Sequence, residues 1–272
     1  MSSSKGKVVA ILLGSMVFAA VVIYGVFSLF IQLSERDFIP GENVYLRDIY
    51  VIIDQTLSMA DGQRQEARDV LRNEILSVMG PGDRIFCYRI SSDYSESGDR
   101  VFSSSRHLPK VPMHVAGMPV KDLPDHWREE INRRWEHFES EKKNWEDRLE
   151  NLQPPGGNYS DYLGTLDDIG RRISDQSDPN LAAERWLVMI GDLKHEPVMP
   201  APPKPTPNQH RLYSGVTVQM VYPGGFHEPG EWDEIVRFWQ RYFIDRGARQ
   251  VQFSSFDAFV GRFPETVVPH LK

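Results

Sequence analysis

The chain has little cysteine, no excess of positive charge and none of the common phosphate or zinc motifs. Its 272 residues include one cysteine, Cys87, so no disulfide can form within the chain. The formal net charge of −7 at pH 7 argues against a nucleic-acid partner, because phosphate binding needs a basic face. The eight histidines have no zinc spacing such as H-E-x-x-H, and no glycine-rich phosphate loop is present. Disulfide scaffolds, nucleic-acid binders and motif-bearing nucleotide or zinc enzymes are therefore disfavoured.

One long stretch near the N-terminus lacks charge altogether. From Val8 to Leu33 no residue is charged, and most residues are Val, Ile, Leu, Ala or Phe. About 20 apolar residues cross a bilayer, whereas cleaved signal peptides have apolar cores of about 7–15 residues. Residues 1–34 are therefore predicted to form an uncleaved, single-pass transmembrane anchor.

The charges that flank this stretch predict its orientation. Lys5 and Lys7 precede it, and Glu35, Arg36 and Asp37 follow it. The positive-inside rule then leaves the N-terminus in the cytoplasm and places the rest of the chain outside. The only glycosylation sequon, at residues 158–160, overlaps a candidate binding residue, which favours a bacterial periplasm or cell surface over a eukaryotic secretory route. The predicted location is the cell (inner) membrane, with the domain periplasmic or extracellular.

Residues 35–272 alternate between apolar strand-like runs and amphipathic helical patterns. This alternation predicts an α/β domain with a doubly wound, mostly parallel sheet covered on both faces. Strands are predicted at Ile49–Ile53, Arg84–Ile90, Trp186–Ile190, Val216–Tyr222 and Val251–Phe253, with an edge strand at Arg100–Ser103. Helices are predicted at Gln63–Met79, Leu163–Ile173 and Trp232–Arg246. The helical period places five apolar residues of the first helix on one face, Ala67, Val70, Leu71, Ile75 and Leu76. The last helix is predicted to turn five apolar residues inward, Ile235, Val236, Trp239, Tyr242 and Phe243.

Residues 107–156 form an insertion between these elements. A loop rich in proline and methionine leads to Asp125–Leu152, which contains no glycine or proline and is predicted to be one long helix. Its apolar residues follow alternating spacings of four and three, which is typical of a heptad seam. The helix could lie on its own domain. Alternatively, it could mediate association with a partner helix or a second copy. The residues that would carry that association are Trp127, Trp135, Phe138 and Trp145.

A proline-rich loop covers residues 196–207. Six prolines in this stretch favour an extended, semi-rigid polyproline segment. The segment could be a stiff connector, or it could flank the site described next, because it leaves the same sheet edge as Asp192.

The candidate site begins at the end of the first predicted strand. Asp54 ends the run Ile49–Ile53, and the hydroxyl residues Thr56 and Ser58 follow it. Ligands bind at the carboxyl ends of parallel strands, and these three side chains offer only hard oxygen atoms. Such ligands suit Mg²⁺ or Ca²⁺ better than Zn²⁺ or copper. An Asp at a strand end can also simply cap the following helix, so this second interpretation stays open.

Two further motifs complete a resemblance. Ser160 and Asp161 precede a predicted helix, and Asp192 ends the apolar run that begins at Trp186. With Asp54-x-Thr56-x-Ser58, this set resembles the von Willebrand factor A (VWA) family and its metal-ion-dependent adhesion site. The resemblance covers roughly residues 45–265. Two positions depart from the family pattern: Ser160 stands where threonine is usual, and Gly191-Asp192-Leu193 stands where Ser-Asp-Gly is common.

The resemblance implies a binding module rather than an enzyme. The metal ligands would be Asp54, Thr56, Ser58, Ser160 and Asp192, holding Mg²⁺ (or Mn²⁺ or Ca²⁺). The hydroxyls would lie close to the ion, while the acids act directly or through water. One coordination position would remain open for a carboxylate from a partner protein.

Two alternatives stay open. The stretch around Asp54 also resembles the first motif of haloacid-dehalogenase-like, Mg²⁺-dependent phosphatases, in which a strand-end Asp is the nucleophile. That family has a second acid two residues later as its general acid, and here Thr56 occupies the position. The other alternative is a degenerate VWA scaffold that binds without metal.

Overall fold

The structure is a computed structural model that describes residues 45–80, 83–90, 100–104, 124–154, 161–175, 182–194, 201–225 and 229–264. Within these ranges the strands are β1 (Tyr45–Ile53), β2 (Asp83–Arg89), β3 (Arg100–Ser103), β4 (Ala182–Ile190), β5 (Val216–Tyr222) and β6 (Gln250–Ser255). The α-helices are α1 (Asp61–Val70), α2 (Asp125–Glu150), α3 (Tyr162–Asp175), α4 (Pro229–Ile244) and the single turn α5 (Phe256–Phe259). A π turn (Leu71–Ile75) and a 3₁₀ turn (Leu76–Val78) extend α1, and a second 3₁₀ turn covers Pro207–Gln209.

The described strands form one six-stranded sheet in the order β3-β2-β1-β4-β5-β6. All pairings are parallel except that of β3 with β2, which is antiparallel. The prediction of an α/β fold with a mostly parallel sheet is confirmed. Because β1 pairs with β2 on one side and with β4 on the other, the winding of the chain reverses between β1 and β4. In open α/β sheets this reversal opens a crevice at the carboxyl ends of the strands.

Both faces of the sheet are covered, so the central strands are buried throughout. Alternate residues of β1 point to opposite faces, with Ile49, Val51 and Ile53 in one core and Tyr50 and Ile52 in the other. The first core includes residues of α1, α2 and α5, and the second includes residues of α3 and α4. Burial on both sides explains why the strands are continuous apolar runs in the sequence.

Most predicted elements are present, with shifted ends. The edge strand β3 and strand β5 have the predicted bounds, whereas α1 begins at Asp61 rather than Gln63. The apolar face predicted for α1 and its extension is confirmed, because all five residues are buried: Ala67, Val70, Leu71, Ile75 and Leu76.

Strand β1 begins at Tyr45, four residues earlier than predicted. The prediction missed these residues because the first half of the strand contains charged side chains. Arg47 and Asp48 are buried, and they lie opposite Asp83 and Arg84 in the parallel register. The Arg47 guanidinium donates from Nε and Nη2 to the two oxygens of Asp83, at 2.9 and 2.6 Å. Arg84 makes the reciprocal two-pronged contact with Asp48. Each buried charge is thus paired, which allows a strand to contain residues that the apolar pattern excludes.

The helix α2 belongs to the core of its own domain. Phe138 and Trp145 are 3% and 4% exposed, and Leu149 is fully buried. The Trp145 ring stacks on Phe102 of β3 with centroids 5.8 Å apart. Phe138 and Trp145 therefore pack within the domain, as expected for a helix that lies on its own domain, and their part in association stays a prediction. Trp135 is only partly buried, and association through it stays a prediction.

Several predictions concern residues that the structure does not describe. The predicted anchor at 1–34 lies outside the described residues, as do Ser160, the loop at 107–123, residues 196–200 and the Trp127 side chain. In the part of the chain that is described, no helix is both long enough and apolar enough to cross a membrane.

Candidate metal centre

The loop after β1 folds around the Asp54 carboxylate. Asp54 is fully buried, and its backbone N–H continues the sheet by donating to the Ile190 carbonyl at 2.8 Å. Its Oδ1 accepts hydrogen bonds from the Thr56 backbone N–H at 2.8 Å and from the Thr56 hydroxyl at 2.7 Å. The chain therefore turns back over Asp54, as short acidic side chains commonly make it do.

A chain of oxygen atoms joins Asp54 to Asp192. Thr56 Oγ1 lies 2.8 Å from Ser58 Oγ, and Ser58 Oγ lies 3.2 Å from Asp192 Oδ2. With the contact between Thr56 and Asp54, three oxygen–oxygen contacts share the protons of two hydroxyls. When both carboxylates are ionised, a cation placed among these oxygens would stabilise the arrangement.

Arg64 stabilises the loop after β1 through hydrogen bonds to its backbone. Its buried guanidinium donates to the carbonyl oxygens of Thr56, at 3.1 Å, and of Met59. Gln55 donates from Nε2 to the carbonyls of Asp54, at 2.9 Å, and of Arg64, at 3.2 Å. These bonds fix the backbone that presents both hydroxyls, so the loop is preorganised rather than free to adapt.

The loop after β4 brings Asp192 against β1. A Cβ placed on Gly191 would lie 2.4 Å from Asp54 Cβ, so only glycine permits this approach. Asp192 is 1% exposed, and its Oδ1 accepts a hydrogen bond from the Lys194 backbone N–H at 3.0 Å. Leu193 between them has φ of 60°.

The surroundings of Leu193 explain how leucine can stand where the Ser-Asp-Gly pattern has glycine. A left-handed backbone costs an L-residue roughly 1–2 kcal/mol, which is why glycine is favoured there. Leu193 is buried, and its carbonyl accepts a hydrogen bond from Trp239 Nε1 at 2.8 Å. Burial of the side chain and this bond offset the strain, so the turn forms with leucine in place of glycine.

A residue absent from the predicted ligand set completes the arrangement. Tyr162, the first residue of α3, is fully buried and donates its hydroxyl to Asp54 Oδ2 at 2.9 Å. Burial, followed by the nearby Asp54 charge, raises the pKa of Tyr162, so the phenol remains a hydrogen-bond donor. The only sequence signal for this residue is its place directly after Ser160 and Asp161.

Asp161 has a structural role at the same helix end. Its Oδ1 accepts a hydrogen bond from the Gly164 backbone N–H at 2.9 Å, three residues along the chain. This contact is the usual one for an acid that caps the first turn of a helix. Asp161 therefore caps α3.

The electrostatics of the cluster suit a cation. Burial, followed by the neighbouring Asp54 charge, raises the pKa of Asp192 to about 7. Hydrogen bonds from the Lys194 backbone and Ser58 act in the opposite direction. Among the described residues, no group of three or more His, Cys, Asp or Glu side chains is placed to hold a metal ion. The donor set here is two carboxylates and two hydroxyls, all hard oxygens, and it fits a cation of the Mg²⁺ type.

The raised pKa of Asp192 predicts how stability varies with pH. Between about pH 4, where an unfolded Asp ionises, and pH 7, the folded chain binds more protons than the unfolded chain. The Asp192 charge therefore lowers the free energy of unfolding as the pH rises through this window. We expect Asp192→Asn in EDTA to be more stable than wild type at pH 8, by on the order of 2 kcal/mol, and closer to it at pH 5.

Urea unfolding of both proteins at the two pH values measures this difference. Asp233→Asn, a substitution of an exposed acid on α4, is the control and should leave the pH dependence unchanged. An Asp192→Asn variant that is less stable than wild type by the same amount at both pH values would contradict the prediction.

The structure brings four of the five predicted ligands together at the crevice between β1 and β4. Contacts between side-chain oxygens join them in the order Asp54, Thr56, Ser58 and Asp192. The fifth, Ser160, precedes the described residue Asp161 by one position. Tyr162, Arg64 and Trp239 were not among the predicted site residues, although Trp239 was predicted to face the core and does.

A comparison with protein-family models finds no match to this chain, and a comparison with curated protein sequences finds none either.

Proposed function

We propose that the protein is a membrane-anchored, VWA-like binding module that holds a divalent cation and through it binds an acidic group of a partner protein. The sheet would be of the doubly wound VWA type, with α2 as an addition to it and residues 1–34 as the anchor. Asp54, Thr56, Ser58 and Asp192, together with Ser160, would hold Mg²⁺, or Mn²⁺ or Ca²⁺ in its place. The domain would face the periplasm or the cell exterior.

One observation carries this proposal. Asp54 and Asp192 follow adjacent parallel strands at the point where the sheet reverses its winding, and two hydroxyls connect them. A structural cap would need only one of these acids. Two buried acids side by side destabilise each other unless a positive charge is supplied, and a divalent cation supplies it.

The exposure of the ligands supports a protein partner. Asp54, Thr56 and Asp192 are buried, whereas Ser58 and its neighbour Leu57 are exposed. A partner would therefore approach over Ser58, with the acids behind it. A hard cation bound by few formal charges favours one more anionic oxygen, which an Asp or Glu of the partner can provide.

The test is a melting curve of the full-length chain in detergent. At about 100 times its dissociation constant, a bound cation adds about 2.7 kcal/mol, which corresponds to roughly 5–10 °C. We expect Mg²⁺ or Mn²⁺ to raise the melting temperature of wild type relative to EDTA. Asp54→Asn should abolish the rise, because it removes the charge while keeping the size of the side chain.

Asp69→Asn is the matched control, because Asp69 is a partly exposed acid on α1 that contacts Arg72 rather than Asp54 or Asp192. It should respond to cations as wild type does. If wild type melts at the same temperature in EDTA and in excess Mn²⁺, the site is a metal-free scaffold and the proposal fails. The phosphatase hypothesis stays a prediction that no described contact favours, since Thr56 cannot act as a general acid.

A further inference from the structure

We infer that β6 is an interface through which two copies of this chain pair, with their β6 strands antiparallel about a two-fold axis at Gln252. Among the described strands, β6 has a neighbour on one side only, because it pairs with β5 and the strand order ends there. The backbone N–H and C=O groups along the other side of such a strand can bond to a further strand. The inference concerns the edge of the sheet and does not depend on the proposed cation.

The opposite edge of the sheet, β3, is protected against such pairing. It has only four residues, begins with Arg100, and its pairing with β2 contains a register shift. Helix α2 packs against it, since Trp145 stacks on Phe102 and Arg148 Nη1 donates to the Val101 carbonyl at 3.4 Å. Short length, charge, irregular pairing and a covering helix are the usual ways in which proteins keep an edge strand from binding another chain.

Strand β6 has neither charge nor irregular pairing. Its six residues, Gln-Val-Gln-Phe-Ser-Ser, include no charged residue and no proline, and its register with β5 runs without a shift from Gln250 to Ser255. Gln250 is exposed, and Val251, Gln252 and Phe253 are partly exposed. A regular, uncharged edge strand with partly exposed apolar side chains favours pairing with another strand.

The residues of β6 are complementary to those of a second, antiparallel β6. A two-fold axis at Gln252 places Gln250 opposite Ser254 of the other copy, and Val251 opposite Phe253. A β-branched residue opposite an aromatic one is a stabilising cross-strand pair, and no like charges face each other. On the other face of the strand, the glutamine amides and the serine hydroxyl can hydrogen-bond across the axis. A second copy of the chain therefore suits each position of this strand.

The charges at the two ends of β6 favour the same partner. Arg249 precedes the strand, Asp257 follows it in α5, and both are exposed. In the antiparallel arrangement, Arg249 of each copy lies opposite Ser255 of the other, two residues from Asp257. The basic end of each strand therefore meets the acidic end of the other, which favours association of two copies in this direction. The carboxyl ends of the parallel strands point in opposite directions in the two copies, so both candidate metal centres remain open.

The test places charges at the proposed axis. Gln252→Lys and Gln252→Glu each bring two like charges face to face, which should weaken the dimer by about tenfold or more. An equal mixture of the two variants should form the dimer again, because lysine then faces glutamate. Sedimentation velocity of the full-length chain in detergent, from roughly 1 to 100 µM, measures the dissociation constant, which we expect in the micromolar range for a small interface. Gln65→Lys and Gln65→Glu, at an exposed position of α1, are the controls and should associate as wild type does.

A disulfide tests the register of the pair. Residues directly opposite each other in an antiparallel pair have Cα atoms about 4.5–5.5 Å apart, a distance that a disulfide spans. Gln252→Cys should therefore form a disulfide-linked dimer on mild oxidation, whereas Gln65→Cys should not. Cys87 is fully buried, so it does not compete in this reaction.

Three results would overturn the inference. The first is a wild-type chain that stays monomeric over this concentration range, which would leave the edge to a strand of another protein or of this chain itself. The second is a wild-type dimer that both Gln252 variants form equally well, since the predicted anchor or α2 would then mediate the association. Should the charged variants not fold, the disulfide decides, and linkage at position 252 that is no faster than at position 65 would be the third.

Discussion

Replacing Trp145 with alanine is expected to lower the free energy of unfolding by about 3–5 kcal/mol, the usual cost of removing a buried aromatic side chain. Trp145 lies on α2, stacks on Phe102 and meets Phe138 edge-on, with both centroid distances at 5.8 Å. The substitution would open a cavity between the helix and the antiparallel edge strand β3. The measurement is urea unfolding followed by circular dichroism.

Trp135→Ala on the same helix is the matched control, because Trp135 is only partly buried. We expect it to cost no more than about half as much. Equal, small losses in both variants would mean that α2 can leave the sheet easily. In that case the apolar seam would be available for association, as the alternative interpretation of the sequence has it.

The fold followed from the sequence wherever apolar periodicity alone determined burial. The order of strands and helices, the edge strand β3 and the buried face of α1 were predicted for that reason. The beginning of β1 was not, because Arg47 and Asp48 are charged, and a strand pattern excludes charge unless the opposing charge is known. That charge comes from Asp83 and Arg84, 36 residues along the chain, and only the register of β1 against β2 brings the pairs together.

The candidate site was predictable in its ligands and not in the residues that position them. Asp54, Thr56, Ser58 and Asp192 were found because they lie in the short loops that follow two apolar strands, and parallel strands bring their carboxyl ends to one edge. Tyr162 contacts Asp54 because the tertiary fold places the first residue of α3 beside the end of β1, and the two residues are 108 positions apart in the chain. Similarly, the role of Arg64 depends on how α1 turns back beneath the loop, and no local pattern encodes it.

At Leu193, local backbone preference and tertiary packing favour different conformations. Local preference alone argues against leucine at a position where glycine is common. The conformation is held by a buried side chain and by the indole of Trp239, which lies 46 residues further along the chain. Tertiary packing therefore overrides the local backbone preference of leucine at this position. Leu193 follows Asp192, an acid of the proposed site, and strained backbone is often found at functional sites.

The buried ion pair between Asp48 and Arg84 predicts the second large effect. Arg84→Met alone should cost about 3–5 kcal/mol at pH 7, because it leaves the Asp48 carboxylate buried without its partner. Burial already raises the pKa of Asp48 in the presence of Arg84, so the carboxyl without the arginine would take up a proton more readily still. A raised pKa makes the charged form the costly one, so the deficit of Arg84→Met relative to wild type should shrink as the pH is lowered.

The double variant Asp48→Leu with Arg84→Met, together with the two single variants and wild type, forms a double-mutant cycle. With both charges removed, no unpaired group remains, and the double variant is expected to be more stable than Arg84→Met alone at pH 7. Urea unfolding of wild type, both single variants and the double variant, at pH 5 and pH 7, gives the coupling energy directly. If the losses of the two single variants simply add in the double variant at both pH values, the two side chains are uncoupled. The Asp48–Arg84 pair would then have no part in specifying the register of β1 against β2, which would rest on apolar packing and on the Arg47–Asp83 pair.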